Sequence, residues 1–264
     1  ENTLKEASKW RYGHTVDLEG YGTAALFNDP LIVIDPTDMN RNVGAALRLD
    51  KMAEFIQSAR NYLASNNKKE YFYPVANKFA KDEILEEFQK RGSVVIAVKF
   101  NIPDIPLDTL HPQLRKTTES LAEKLNDEDF SVYQSDYWSD EENTAVLLFE
   151  MTVSRLNNTK IHYGPKVFVK RGSQNFIDKH GIENCYILDD FVVSKISREF
   201  VTASDFINYV LSYENISLIK VGKNLLDNII TSYELLSLDD LDLSNESFVT
   251  FLDDFLNPNK YLFR

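Results

Sequence analysis

The sequence has few of the residues that build disulfide frameworks, zinc sites and membrane spans. Its 264 residues include one cysteine, Cys185, and four histidines scattered through unrelated segments. A single cysteine excludes an internal disulfide and any zinc site built on several cysteines, and we expect the histidines to be structural or exposed. No apolar run reaches the roughly 20 residues of a membrane-spanning helix, and the first residues do not form a signal peptide. These absences favour a cytoplasmic protein.

The motifs of the common catalytic and phosphate-binding sites are also missing. There is no P-loop, no H-E-x-x-H pair, no C-x-x-C and no G-x-S-x-G. The segment GYGTAA at residues 20–25 matches the dinucleotide-binding pattern G-x-G-x-x-A. That pattern requires a strand before it and a helix after it, whereas the sequence predicts no strand leading in and Asp29-Pro30 follows closely. We therefore expect neither a Rossmann site nor catalysis by this chain alone.

Positive charge is scarce and unevenly placed. The net charge is −12, which by itself argues against a nucleic-acid partner. Residues 155–181 depart from this balance, because they contain six basic groups and one acid. A basic segment in an acidic protein can hold phosphates locally, or it can be an ordinary solvated surface. Composition leaves both alternatives open.

The most informative stretch covers residues 31–49. An apolar run is broken by Asp35-Pro36, a polar cluster follows, and helix-forming apolar residues then return. Proline restricts the residue before it to extended geometry, and Asp38 or Asn40 is a suitable N-cap. The pattern therefore predicts a strand end, a tight turn and a helix that carries Arg41 in its first turn.

Arg41 needs a partner in that arrangement. A helix N-terminus is electropositive, so a cation there is unfavourable unless another group uses it. One alternative is an ion pair with Asp35 or Asp38, and the other is a ligand. The same two carboxylates could be considered as metal ligands, but Pro36 and Asn40 beside them favour turn and cap roles.

The remaining hydrophobic patterns predict an α+β fold. Helical spacing predicts helices that end near residue 65 and that cover residues 82–91 and 108–126. Strands are predicted at residues 94–100, 130–138 and 144–153, followed by an α/β segment from residue 157 and by C-terminal helices. This order suits a helical segment followed by a small antiparallel sheet with helices on one face, as in an RRM-like body, and an α/β tail insertion.

Several segments together resemble one protein family. DPTDMNRNVGAAL at residues 35–47 is similar to the segment Asp-Pro-x-Asp-x-x-Arg-Asn-Val-Ala-Ala of the archaeal-type (class I) CCA-adding tRNA nucleotidyltransferases. Further matches follow in the same order: AVKFNIPDI at 97–105, LHPQL at 110–114, Gly164-Pro165 and Gly222-Lys223-Asn224. The resemblance spans nearly the whole chain, and the first motif is its most specific part.

The resemblance covers only the C-terminal portion of that family. It implies the end of the neck domain at residues 1–65, the first part of the body domain at 66–156, the tail domain at 157–215, and helices returning to the body at 216–264. The catalytic head of the family has no counterpart in this sequence. We therefore expect no catalytic or metal-binding residue here: magnesium would be bound by the head, and the transferase would be active only when joined to it.

A nucleotide-reading residue is also implied. Arg41 matches an arginine that contributes to reading the incoming base in the family. Cytosine and adenine carry an acceptor nitrogen in the middle of the Watson–Crick edge, whereas guanine and uracil carry an N–H there. Because a guanidinium offers only donors, Arg41 would accept CTP and ATP and would reject GTP and UTP.

Two basic groups are implied to bind tRNA, one for the acceptor stem and one for the T arm. The body-domain group is His111, Arg115 and Lys116. The tail group is Lys166, Lys170 and Arg171. The expected function is therefore the tRNA-binding and nucleotide-selecting portion of an enzyme that adds CCA to tRNA. The alternatives are a head-less RNA-binding module and an acidic protein-interaction scaffold.

Overall fold

The computed structural model describes residues 1–66, 68–69, 80–258 and 262. The chain forms two compact units, one of residues 1–78 with 257–264 and the other of residues 79–256. In the described part of the chain, no helix is both long enough and apolar enough to cross a membrane.

The first unit packs a three-stranded sheet against a helix. Its elements are α1 (Asn2–Ala7), β1 (His14–Val16), β2 (Leu31–Asp35), β3 (Asp38–Asn42) and α2 (Leu49–Ala64). The sheet order is β1-β2-β3, with β1 parallel and β3 antiparallel to β2. Met52 and Ile56 of α2 are buried against Leu31 of β2. The predicted helix that ends near residue 65 is therefore confirmed.

The predicted helix start at Asp38 or Asn40 is wrong. Residues Asp38–Asn42 form strand β3, which pairs with β2, and the helix begins only at Leu49. A short turn joins the two strands, so the polar residues that suggested a helix cap belong to a hairpin. Pairing with the neighbouring strand outweighs the local helix-start signals of these residues. Arg41 consequently lies on a strand rather than in the first turn of a helix.

The second unit contains the remaining elements. It begins with α3 (Lys81–Arg91), β4 (Val94–Asn101), α4 (Leu107–Asp127), β5 (Ser131–Ser139) and β6 (Thr144–Val153). It continues with β7 (Thr159–Lys166), α5 (Lys170–His180), β8 (Cys185–Leu188) and β9 (Phe191–Ser197). It ends with α6 (Ala203–Leu211), α7 (Leu226–Ser232), β10 (Glu234–Ser237) and α8 (Glu246–Leu256).

A four-stranded antiparallel sheet of order β10-β4-β6-β5 forms the body of this unit. Alternate residues of β4 face opposite sides, because side chains alternate along a strand. Val98 belongs to the core that includes α4 and α6, whereas Ala97 belongs to the core that includes α3 and α8. The α+β class is confirmed, but helices cover both faces of the sheet rather than the one face expected.

A smaller antiparallel sheet of order β7-β9-β8 carries α5 on one side. The β8–β9 hairpin turns at Asp189, whose φ is +53°. Gly164 of β7 lies directly under Phe176 of α5, and a Cβ at this glycine would meet the ring at 2.6 Å. This sheet with its helix confirms the predicted α/β insertion.

A buried carboxylate ties the large sheet to the helices beside it. The side chain of Glu150 on β6 is 1% exposed and accepts hydrogen bonds from Arg91 Nη1 at 3.1 Å, Ser93 Oγ at 2.5 Å and Gln134 Nε2 at 2.8 Å. Arg91 Nη2 also donates to the carbonyl of Leu256 at 2.5 Å. The network therefore links α3, β5 and β6 to the end of α8.

Candidate functional site

The β2–β3 hairpin that carries Arg41 is fixed by the buried side chain of Asn42. Its Oδ1 accepts from the backbone N–H groups of Val33 at 2.7 Å and Gly44 at 2.9 Å. Its Nδ2 donates to the carbonyl of Leu31 at 3.0 Å and to Asp29 Oδ2 at 2.8 Å. Four hydrogen bonds use the full capacity of an Asn amide. The residue next to Arg41 is therefore locked in place.

Asp35 closes the turn of the same hairpin. Its Oδ1 accepts from the N–H of Thr37 at 2.8 Å and from the Thr37 hydroxyl at 2.7 Å. These two hydrogen bonds lower the pKa of Asp35, and the nearby Arg41 guanidinium lowers it further. Asp35 is therefore a turn residue that stays ionised, as the sequence favoured.

Arg41 uses only part of its guanidinium inside the protein. Nη1 lies 3.4 Å from Asp35 Oδ2, and the Arg41 side chain is 68% exposed. Within the described residues this is its one ion pair, and Asp38 is not a partner. The ion pair that the sequence left open therefore forms with Asp35, yet most donors of the guanidinium still face solvent.

Strand β1 does precede the GYGTAA segment, contrary to the prediction, and the segment itself supports the turn of this hairpin. The Asp17 carboxylate accepts from the backbone N–H groups of Tyr21 at 3.1 Å and Gly22 at 2.8 Å, and these bonds lower the pKa of Asp17. The Tyr21 hydroxyl donates to the carbonyl of Pro36 at 2.8 Å. Gly20 and Gly22 both have φ near +70°, which glycine adopts without strain. The glycines shape a loop beside the turn.

The three body-domain candidates lie near the start of α4. His111 Nε2 is 3.1 Å from Glu141 Oε1, and its ring centroid is 5.9 Å from that of Tyr137. Arg115 and Lys116 are exposed, and neither forms an ion pair within the described residues. The helix thus presents two unpaired cations, while His111 is already engaged.

The three tail candidates come together where β7 leads into α5. Lys166 pairs with Asp190 Oδ2 at 2.8 Å and lies 5.4 Å from the centre of the Phe191 ring. Lys170 and Arg171 are the first two residues of α5 and are exposed. Cations in the first turn repel the positive end of the helix dipole. An anion placed there would relieve that repulsion.

Two protein-family models match this chain. A family model described as "tRNA nucleotidyltransferase, second domain" matches residues 1–73, and one described as "CCA-adding enzyme, C-terminal domain" matches residues 91–238. The chain belongs to the CCA-adding enzyme family. The resemblance read from the Arg41 segment is confirmed.

Individual CCA-adding enzymes support the assignment along the whole chain. The enzyme of Methanothermobacter thermautotrophicus is 38% identical over 265 residues, which is 100% of this chain and 57% of the relative. The enzyme of Methanosarcina mazei is 33% identical, with 96% of this chain and 55% of the relative covered. That of Haloarcula marismortui is 26% identical over 97% of this chain and 57% of the relative. The chain thus spans about half the length of these CCA-adding enzymes.

Two histidines of this CCA-adding family member pack together between β7 and α5. His162 and His180 have ring centroids 5.2 Å apart, and both contact Phe176. Burial lowers the pKa of His180, and His162 lowers it further. The structural role expected for these histidines fits this packing. Within the described residues, no group of three or more His, Cys, Asp or Glu side chains is placed to hold a metal ion.

Sequence reasoning missed one cavity of the second unit, which has a volume of about 310 Å³. It is lined by Lys124, Lys160 and Arg198 together with aromatic side chains. These cations come from three elements far apart in sequence, so no local motif marks them. Asn42 was also missed, since only its place in the family motif signals its buried role.

Proposed function

We propose that this chain recognises the tRNA substrate and selects the incoming nucleotide in a CCA-adding enzyme. The observation that carries the proposal is the exposed guanidinium of Arg41, held on a rigid hairpin within the segment that matches the family's second domain. Asp35 occupies one edge of the guanidinium and Asn42 fixes the adjacent backbone. The remaining N–H donors are free to meet the Watson–Crick edge of a base.

Selection follows from the chemistry of the donors. Cytosine and adenine present an acceptor nitrogen that Arg41 can bond. Guanine and uracil present an N–H in the same place, which leaves two donors facing each other without an acceptor. An unsatisfied donor pair of this kind costs free energy in a site that excludes water. Arg41 would thus favour CTP and ATP, the nucleotides that CCA addition consumes.

The basic groups of the second unit supply the proposed tRNA contacts. Arg115 and Lys116 of α4 would contact the acceptor stem, with His111 beside them. Lys166, Lys170 and Arg171 would contact phosphates of the T arm. Duplex RNA is recognised mainly through its backbone and shape, so cations on a helix surface and at a helix start are suitable groups. RNA binding at these places is compatible with the net charge of −12, because the cations are locally concentrated.

Domain roles follow the same proposal. Residues 1–65 would be the end of the neck with its nucleotide-reading hairpin, and 66–156 the first part of the body. Residues 157–215 would be the tail, and 216–264 would return to the body. Phosphoryl transfer and the magnesium that it requires are assigned to a catalytic head, and no step through the metal is placed on this chain.

Binding to a tRNA minihelix tests the proposal. The chain should bind an acceptor–T-arm minihelix, and replacing Lys166, Lys170 and Arg171 by Ala should weaken binding. Each lost phosphate contact should also reduce the log–log salt slope by roughly 0.7 to 0.9. A control variant carries Ala at three exposed lysines that pair with nearby carboxylates: Lys9, Lys51 and Lys90.

The outcome separates the tRNA-binding role from its alternatives. Equal binding by the tail variant, the control and the unchanged chain would show that Lys166, Lys170 and Arg171 do not contribute to RNA binding. Absence of minihelix binding by the unchanged chain would instead favour an acidic protein-interaction scaffold.

A further inference from the structure

A cavity of about 310 Å³ opens where body and tail elements of the second unit meet. Its walls come from the end of α4, from β7, from the residues that follow β9, and from α6. Cavities that hold small molecules measure about 300–1,000 Å³. The volume therefore suits a ligand of modest size, such as one nucleotide unit.

Three cationic side chains line the cavity. Lys124 and Lys160 line it, and within the described residues neither side chain forms an ion pair or a hydrogen bond. Glu128 lies one helical turn after Lys124 and lines the same cavity, yet the two do not pair. Arg198 adds a third cation, whose Nη2 is 2.7 Å from Asp129 Oδ2 while its buried Nε has no acceptor.

Three aromatic side chains also line the cavity: Phe200, Phe206 and Tyr209. The ring centroids of Phe200 and Tyr209 are 4.7 Å apart, and those of Phe200 and Phe206 are 5.3 Å apart. Phe206 belongs to the hydrophobic core, whereas Tyr209 is 36% exposed. Exposed aromatic rings of this kind are platforms for nucleic-acid bases, because every base has a π-face.

We propose that this cavity binds one nucleoside phosphate. The phosphate would lie between Lys124, Lys160 and Arg198, which are donors for phosphate oxygens. The base would lie against Phe200 and Tyr209. Glu199 lines the cavity together with Glu128. Carboxylates commonly accept hydrogen bonds from ribose hydroxyls, so these two residues would contact the sugar.

The nucleoside phosphate can come from two sources, an unpaired nucleotide of RNA or a free nucleotide. If it belongs to tRNA, the inference rests on the proposed function. If it is a free nucleotide, the inference stands independently of tRNA binding.

Calorimetric titration with cytidine 5′-monophosphate and adenosine 5′-monophosphate tests the binding of a free nucleotide. Inorganic phosphate and cytidine are titrated separately, because each represents one part of the nucleotide. Lys124→Gln/Lys160→Gln should weaken binding about tenfold or more, since two charge-assisted contacts are lost. Tyr209→Ala should weaken nucleotide binding but leave the binding of inorganic phosphate unaffected.

The control variant Lys220→Gln/Lys223→Gln removes the same charge from exposed lysines and should leave all of these affinities unchanged. Arg41→Ala should also leave this binding intact, which separates the cavity from the hairpin.

The same variants are then compared for tRNA-minihelix binding. Free nucleotide binding that is weakened in the Lys124/Lys160 and Tyr209 variants, but not in the Lys220/Lys223 control, supports the site whatever the tRNA result. Minihelix binding that is weakened in the same two variants but not in the control, without free nucleotide binding, supports an RNA-borne nucleotide. Equal behaviour of the Lys124/Lys160 and Lys220/Lys223 variants with every probe overturns the inference. Failure of the unchanged chain to bind the minihelix counts against the proposed function and leaves the free-nucleotide titration to decide.

Discussion

At the scale of single residues, nucleotide selection is proposed to depend on Arg41. In a full-length enzyme that contains this chain, Arg41→Ala should lower kcat/KM for CTP and ATP by about tenfold to a hundredfold. The reason is that a hydrogen bond to a charged group contributes about 1.5–3 kcal/mol. Relative misincorporation of UTP and GTP should rise in the same assay. Arg41→Lys should restore little, because an ammonium cannot present a planar set of donors.

Arg48→Ala provides the matched control for Arg41. The Arg48 side chain is 47% exposed and lies 2.9 Å from Asp50 Oδ1, so it is also a paired surface arginine of the first unit. It should leave kcat/KM and nucleotide choice unchanged. Normal selection by Arg41→Ala, combined with lower thermal stability, would mean that the contact with Asp35 is structural and that base selection resides elsewhere.

Asn42 should matter for stability rather than for selection. Asn42→Ala leaves the backbone groups of Val33, Gly44 and Leu31 without their side-chain partner. Leaving such groups unsatisfied costs about 1–3 kcal/mol, so we expect a loss of about 2 kcal/mol. Urea unfolding followed by Trp10 fluorescence in a Trp138→Phe background reports on the first unit. Asn40→Ala, an exposed neighbour on the same strand, should have little effect.

Only part of the candidate site can be predicted from the amino-acid sequence. Arg41 can be found because its segment is a recognisable motif, and the sequence also predicts an ion pair with Asp35 or Asp38 as one of two alternatives. The partial use of its donors depends on three-dimensional geometry. The cavity cations were not predictable, since Lys124, Lys160 and Arg198 are brought together only by the packing of α4, β7 and the residues after β9.

At the scale of secondary-structure elements, the sequence predicted those with local signals. Helix α3 ends at Gly92, whose φ of +66° suits a glycine C-cap. Helix α6 begins at Thr202, whose Oγ1 accepts from the N–H of Asp205 at 3.2 Å. Strand β3 lies where the sequence predicts a turn and the start of a helix, and β10 lies where it predicts only helices. Both are short and are defined by strand pairing, and β10 pairs with β4 more than 130 residues away.

The link between the large sheet and α8 should depend on Glu150. Glu150→Ala leaves Arg91 and Gln134 without their buried acceptor. Breaking a buried ion pair costs about 3–5 kcal/mol, and partial exposure of Arg91 places the expected loss near the lower end of that range. Trp138 packs on Phe248 of α8 at 4.9 Å, so its fluorescence in a Trp10→Phe background reports this unfolding.

Glu86→Ala is the control for that experiment. Glu86 is an exposed acid of α3 that lies 3.8 Å from Lys90, and exposed pairs contribute only about 0–1 kcal/mol. A loss in Glu150→Ala no larger than in Glu86→Ala would show that the buried network does not hold α8 to the sheet.

At the scale of the whole molecule, positive charge is locally concentrated in a strongly acidic protein. The net charge is −12, yet residues 155–181 hold six basic groups and one acid. Repulsion by the rest of the surface acts over a distance of about 8–10 Å at physiological salt. We therefore assign the proposed tRNA contacts to local cations on α4 and at the start of α5, and not to a general basic surface.

The division of labour proposed for the enzyme makes a prediction about this chain in isolation. Phosphoryl transfer of this kind uses metal ions held by carboxylates. The matched family models describe a second and a C-terminal domain, and the described residues offer no cluster placed to hold a metal. The purified chain, incubated with tRNA lacking its CCA end, labelled CTP and Mg²⁺, should therefore give no extension above background. Incorporation should appear when the chain is joined to a catalytic head of the family.

A trace of host enzyme could imitate activity, so Arg41→Ala is purified and assayed in parallel. Extension by the unchanged chain that Arg41→Ala reduces would place catalysis within these residues and refute the proposed division.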